Sequence, residues 1–219
     1  MMRFAVLVSG NGSNLQALMD ACAAGRIQGE LVGVLSNRPD AFALERAKAA
    51  GIATQVLSNQ AFSDRDSYDA ALIQALETWQ PDLLVMAGFM RILTPAFVQH
   101  FAGRMLNIHP SLLPKYQGVK THARAIAAGD TVHGATVHFV TEELDGGPIV
   151  LQARVPIFPE DDESSLAERV LSQEHQLYPL VVNWFCQQRL RMQDGHAWLD
   201  GQPLPALGYA SDDEDLALS

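Results

Sequence analysis

Cysteine is nearly absent: Cys22 and Cys186 are the only two in 219 residues. Neither sits in a CxxC pair, so no zinc site of that spacing exists, and both read as small core residues of an intracellular protein. No stretch approaches the roughly 20 consecutive apolar residues that a membrane span requires. The opening "MMRFAVLVSGNGS" holds too short an apolar run for a secretory signal and breaks into Gly, Asn and Ser. A soluble, cytoplasmic protein without a membrane partner is expected. Positive charge is also scarce, with 15 Lys and Arg against 25 Asp and Glu, a net charge of −10. Asp212, Asp213, Glu214 and Asp215 crowd the C-terminus, yet the body stays acidic without them. A nucleic-acid partner would need a basic face, and the sequence offers none. Anionic ligands must instead be captured by local donors against the overall field.

What is present is an ordinary globular balance, 48% apolar and 18% charged, at a length that fits one generous domain. Apolar runs at 3–8, 31–36, 53–57, 82–88 and 104–109 read as strands. Segments 13–24, 40–51, 65–80 and 94–101 carry helical spacing, with Pro95 suited to a helix start. Strands alternating with helices predict an α/β fold: a mostly parallel twisted sheet with helices on both faces. Beyond residue 133 the pattern changes. "HGATVHFVTEELDGGPIVLQARVPI" (133–157) reads as two strands joined by a Gly-rich turn, an antiparallel addition in the C-terminal half. A long helix over 164–188, bent near Pro179, and a short hairpin complete a single domain over 1–208, and 209–219 reads as an acidic flexible tail.

Ligands of an open α/β sheet bind at the carboxyl ends of its parallel strands. That rule selects four loops: "SGNGSN", "SNRPD", "AGFMRIL" and "NIHPSLLPKY". In the first, Gly10 and Gly12 precede a helix that Ser13 or Asn14 can cap. Two readings stand for it, a phosphate cradle at a helix N-terminus or an ordinary tight turn. It is a poor dinucleotide fingerprint, because Leu15 occupies the third glycine position, and it lacks the Gly-Lys-Ser/Thr of a Walker loop. In the last loop, Asn107 and His109 are two apart on a strand and share a face. A neutral donor and a titratable one, side by side, suit a carbonyl oxygen that becomes an anion. Asp145, in the Gly-rich turn, is the candidate partner that would favour the charged imidazole. Glu142 and Glu143 read as solvated turn residues, Glu174 and His175 as helix surface, and Ser111 as a loop hydrogen-bonder. His122 is a possible second site residue, and His138 a buried, hydrogen-bonded one. No elbow motif suggests a covalent nucleophile.

Six motifs in one order, "SGNGSNLQAL", "SNRPDAFALERA", "MAGFMRIL", "LNIHPSLLPKYQG", "HGATVHFVTEELDGGPI" and "QEHQLYP", resemble the phosphoribosylglycinamide formyltransferases, folate-dependent enzymes of purine synthesis. The resemblance runs from Arg3 to about Gly208. It implies a Rossmann-like formyltransferase fold whose N-terminal half binds the ribonucleotide phosphate and whose C-terminal half completes the folate site. It implies direct formyl transfer from the cosubstrate 10-formyltetrahydrofolate to the amine of glycinamide ribonucleotide through a tetrahedral oxyanion. Asn107, His109 and Asp145 become the catalytic trio. Gly12, Ser13 and Asn14 become the phosphate site, and Glu174 a ribonucleotide contact in place of the surface reading. Arg65, Met90, Arg91, Ile92, Leu93 and the turn from Val140 to Asp145 become the folate site, together with Asn107. No metal is implied, the partners are small molecules, and the assembly is a monomer or weak homodimer.

After "LLPKY" the chain departs from the family: Gln117-Gly118-Val119-Lys120 stands where Pro-Gly, often followed by a His or aromatic, is usual. That bears on the stiffness of a mobile loop. Rivals are methionyl-tRNA formyltransferase and formyltetrahydrofolate deformylase, which carry a further domain that this chain is not expected to have. A stand-alone hydrolase of 10-formyltetrahydrofolate would share the trio. A catalytically silent folate- or nucleotide-binding protein would not need it.

Overall fold

Strand β1 (Met2–Val8) is apolar along its length because both its faces are covered. In the computed structural model, which describes residues 1–211, Phe4, Val6 and Val8 pack on one side and Ala5 and Leu7 on the other. The alternation is the two-residue period of a strand buried on both faces. On the first side lie α1 (Ser13–Ala23), through Leu15 and Leu18, and α6 (Glu163–Cys186), through Tyr178, Val181 and Val182. On the other lie α3 (Arg65–Glu77) and α4 (Pro95–His100), through Tyr68, Leu72, Phe97 and Phe101.

Strands β2 (Gly29–Ser36), β3 (Thr54–Val56), β4 (Leu83–Met86) and β5 (Met105–His109) join β1 in parallel. Helix α2 (Phe42–Ala49) connects β2 to β3. Strands β6 (Val132–Phe139) and β7 (Ile149–Pro156) add antiparallel to β5, giving the order β3-β2-β1-β4-β5-β6-β7. This is the Rossmann-like sheet with the antiparallel extension that the sequence predicts. Strand order reverses at β1, so a crevice opens between the carboxyl ends of β1 and β4. Strands β8 (Leu190–Gln193), β9 (His196–Leu199) and β10 (Gln202–Pro203) form a separate antiparallel sheet.

Two local expectations need correction. Helix α1 is not capped by Ser13 or Asn14: its cap is Gly12, left-handed at φ 81°, with no side-chain hydrogen bond. A helix absent from the sequence reading, α5 (Thr121–Ala127), follows the "NIHPSLLPKY" loop. It has no side-chain cap, and Lys120 enters it at φ 55°, so the usual start signals are missing. The Thr121 hydroxyl, donating to the Pro110 carbonyl at 2.6 Å, and packing of Ile126 beside Leu166 and Val170 hold it. Helix α6 begins with the capping box of Asp162 and Ser165 and runs on through Pro179. Among the described residues, no helix is long and apolar enough to cross a membrane. Of the expected tail, Tyr209 donates its N–H to the Val150 carbonyl, and residues 212–219 lie outside the described residues.

Candidate active site

The carboxyl ends of β4 and β5 face a hollow of about 150 Å³. Phe89, Ile92, Leu93 and Val140 give it an apolar wall, while Asn107, His138 and Asp145 bring polar groups to it. Asn107 and His109 leave β5 two residues apart, as predicted. His109 is 5% exposed. Its Nε2 donates to the Tyr116 carbonyl at 2.8 Å, and its Nδ1 stands 3.7 Å from Oδ1 of Asp145. A carbonyl only accepts, so Nε2 carries a proton, and a second proton on Nδ1 would face a carboxylate.

Asp145 is held in turn. Its Oδ2 accepts the Gly118 N–H at 2.8 Å, and its backbone is left-handed at φ 52°. The turn closes tightly behind it: a Cβ on Gly147 would lie 1.8 Å from the Phe139 carbonyl oxygen. Only glycine fits there. The unusual Gln117-Gly118 pair therefore supplies a backbone N–H to Asp145. The loop it belongs to is braced by Ser111 donating to the Lys115 carbonyl and by Arg124 donating to the Gln117 and Val119 carbonyls. The Leu113–Pro114 bond is cis.

The loop after β4 that carries the predicted folate residues Met90 to Leu93 is fixed from three sides. The Met90 N–H donates to Ser9 Oγ at 2.7 Å, and Ser9 Oγ donates to Asn37 Oδ1 at 2.6 Å. The Thr94 N–H donates to the buried Asp69 carboxylate at 2.7 Å. Arg65 donates to the Ile92 carbonyl at 2.7 Å, so Arg65 shapes the rim rather than the floor. Arg91 lies 4.0 Å over the Tyr68 ring and lines the hollow, with a buried Nε–H that has no partner. Met90 is not among the residues lining the hollow.

The predicted phosphate residues gather elsewhere along the same edge. Gly12, Ser13 and Asn14 open α1, and Asn14 donates to Oε1 of Glu174 at 3.2 Å. Glu174 is buried, not a surface residue; burial pushes its carboxyl up to about 7 against the opposing hydrogen bond from Asn14. Asn14 Oδ1 is buried without a partner. One turn along α6, the Tyr178 hydroxyl contacts the Met86 and Leu106 carbonyls at 2.7 and 3.0 Å, tying the Glu174 helix to the ends of β4 and β5. His122 does not reach the hollow. It pairs with His133 at 3.0 Å, and burial pushes His133 down to about 4.

Residues 2–182 match the model of the formyl transferase family. Phosphoribosylglycinamide formyltransferase of Escherichia coli K12 is 58% identical over 212 residues, covering 97% of this chain and all of that protein. The human trifunctional purine biosynthetic protein adenosine-3 is 45% identical over 180 residues, 82% of this chain but 18% of its own length. Among solved structures, the phosphoribosylglycinamide formyltransferase of Coxiella burnetii superimposes with a TM-score of 0.91 at 47% identity, covering 94% of this chain and 97% of that one. The chain belongs to the formyl transferase family. Within this family member, Ser9, Asn37, Asp69 and His138 shape the site although sequence reasoning assigned them no role there. Each is a buried polar side chain inside an apolar or loop context, and only its partner, far away in sequence, reveals its use.

Proposed function

We propose that this chain transfers a formyl group from 10-formyltetrahydrofolate to the amine of phosphoribosylglycinamide, in purine biosynthesis. The observation that carries the reading is the convergence at one edge of two different ligand sites. One is an apolar-walled hollow with Asn107 and Asp145 at its polar end and His109 behind Asp145. The other is a Gly12-Ser13-Asn14 helix start facing Glu174. A hydrolase needs the first alone; a transferase needs both. The flat ring of a folate fits the wall of Phe89, Ile92, Leu93 and Val140, and the unpaired Arg91 Nε–H and Asn14 Oδ1 are buried groups that a ligand would satisfy.

The residues then divide the work. Asn107 Nδ2 and, with His109 in its charged form, the Nδ1–H of His109 donate to the formyl oxygen as it gains negative charge under attack by the amine. Asp145 faces His109 Nδ1 and relays, directly or through one water, the proton that the amine gives away to N10 of the folate as the formyl–N10 bond breaks and tetrahydrofolate leaves. Ser13 and Asn14 present helix N–H groups to the phosphate, and Glu174 and Asn14 meet the ribose hydroxyls. The carbonyl of Tyr116 keeps the His109 ring in place.

The test is formyl transfer followed by absorbance, with and without the ribonucleotide. Turnover that requires the ribonucleotide and falls roughly 10²–10³-fold in His109→Ala supports the reading. Equal turnover without the ribonucleotide makes the chain a hydrolase. Folate binding without turnover in either arm makes it a silent binder.

A further inference from the structure

His138 and Asn107 are direct cross-strand partners on β6 and β5. His138 is 2% exposed. Its Nδ1 lies 2.9 Å from the Phe139 carbonyl oxygen, so Nδ1 holds the proton. Burial, with the charge of His109, disfavours a second proton on the ring and outweighs the Phe139 carbonyl and Asp145. Nε2 is therefore a bare acceptor. It faces Nδ2 of Asn107 at 3.3 Å.

We infer that His138 is a positioning residue for formyl transfer: its bare Nε2 locks the Asn107 amide with the NH2 group, not the carbonyl oxygen, at the polar end of the hollow. The chain of bonds leaves no second solution. The Phe139 carbonyl fixes the ring's tautomer, the tautomer fixes the acceptor, and the acceptor fixes which way the amide is turned. One amide hydrogen points at His138, and the other is left for a ligand oxygen. A flipped amide would set two acceptors against each other in a buried place and would offer the developing oxyanion a lone pair. A strand-end Asn with a free choice of rotamer would spend part of its time in that useless orientation. The inference rests on the proposed role of Asn107 as an oxyanion donor.

The experiment compares His138→Leu, His138→Gln and Asn107→Ala, with kcat and KM measured for each substrate. Removing the acceptor in His138→Leu should lower kcat by roughly 10- to 100-fold, the effect of mispairing one buried polar group, and leave the ribonucleotide KM nearly unchanged. His138→Gln, whose carbonyl oxygen reaches about as far as Nε2, should recover most of that loss. A 15N-detected spectrum of the unaltered protein at neutral pH should find the His138 ring neutral, with Nδ1 protonated and Nε2 bare. That reading stands even if the variants do not fold. A protonated ring, the opposite tautomer, or a His138→Leu enzyme of full kcat beside an inactive Asn107→Ala would overturn the inference alone. An Asn107→Ala enzyme with full activity would instead overturn the role given to Asn107.

Discussion

Replacing Gly12 by alanine should damage the protein far more than the same change two residues earlier. Gly12 is left-handed at φ 81°, and an added Cβ would lie 2.6 Å from Cβ and 2.8 Å from Cα of Ala43 on α2. The left-handed conformation costs about 1–2 kcal/mol for a residue with a Cβ. The overlap cannot be relieved by a rotamer change, because both contacts are at or next to backbone, and such overpacking costs about 1–3 kcal/mol. Reduced freedom of the unfolded chain returns about 0.4–1 kcal/mol. The net loss is roughly 1–5 kcal/mol, which for a domain of this size lowers Tm by roughly 2–20 °C. Helix α2 must back away, and it holds the cradle by two links: the Ala43 N–H to the Gly10 carbonyl at 3.1 Å, and Arg46 to the carbonyl and side-chain oxygens of Asn11 at 2.8 and 2.7 Å. The ribonucleotide KM should therefore rise along with the drop in Tm. Gly10 is the control: nothing lies within 4 Å of its added Cβ, and Gly10→Ala should change stability by no more than about 0.5 kcal/mol. Thermal melts of both variants decide the matter. A Gly12→Ala protein that melts with the parent, or a Gly10→Ala protein that melts well below it, refutes the reasoning.

Tyr178→Phe removes a fully buried hydroxyl and leaves the Met86 and Leu106 carbonyls short of a donor; denaturant unfolding should register a loss of about 1–3 kcal/mol. Ser9→Ala breaks the bridge between the cradle loop and the Met90 loop, so steady-state kinetics should find KM raised for both substrates, and a change confined to one would argue against the bridge. Glu174 has its folded pKa raised to about 7 by burial, so the parent's stability contribution from this group is full below about 4.5 and is lost as pH climbs through about 7. Glu174→Gln cannot ionise, and its stability relative to the parent should improve from pH 5 to pH 8 by up to about 3 kcal/mol, while ribonucleotide binding weakens.

The fold was legible because its signals are local. Continuous apolar runs marked β1, β4 and β5; alternation in "ATVHFV" pointed to an antiparallel β6 with one exposed face, and the strand is antiparallel but buried on both faces from His133 to Phe139. The proximity of Asn107, His109 and Asp145 was legible for the same reason: the i, i+2 rule aligns Asn107 with His109, and the Gly-rich turn singles out Asp145. Helix α5 was not, since its start is fixed by a tertiary bond from Thr121 to Pro110 and not by a capping residue. The burial of Glu174 did have a local signal: its immediate neighbours Ser172, Gln173, His175 and Gln176 are polar, but Val170, Leu171, Leu177 and Tyr178, three and four residues away, are apolar and put it on the packed face of α6, where Asn14 meets it. Ser9 and Asn37 read as loop polar residues until β1 and β2 stand side by side and bring them to hydrogen-bonding distance.

The missing cap on α1 bears on how a chain of net charge −10 captures anions. The first N–H groups of a helix have no intrahelical acceptor, and here no side chain of Gly12, Ser13 or Asn14 occupies them. Of the cations that line the hollow beside Ser13, Arg46 is already committed to Asn11, while Arg26 lines the same hollow. Attraction for a phosphate then rests chiefly on backbone dipoles at contact range, and the acidic surface acts in the opposite sense at longer range. Added salt screens the long-range repulsion, with a Debye length of about 10 Å at 0.1 M, more than it weakens contacts inside the cradle. The ribonucleotide KM should stay level or fall as potassium chloride is raised from low concentration to about 0.15 M. An enzyme that drew its substrate in by surface cations would lose affinity over the same range. A steep rise in KM with salt would place the capture on side-chain charge and not on the open end of α1.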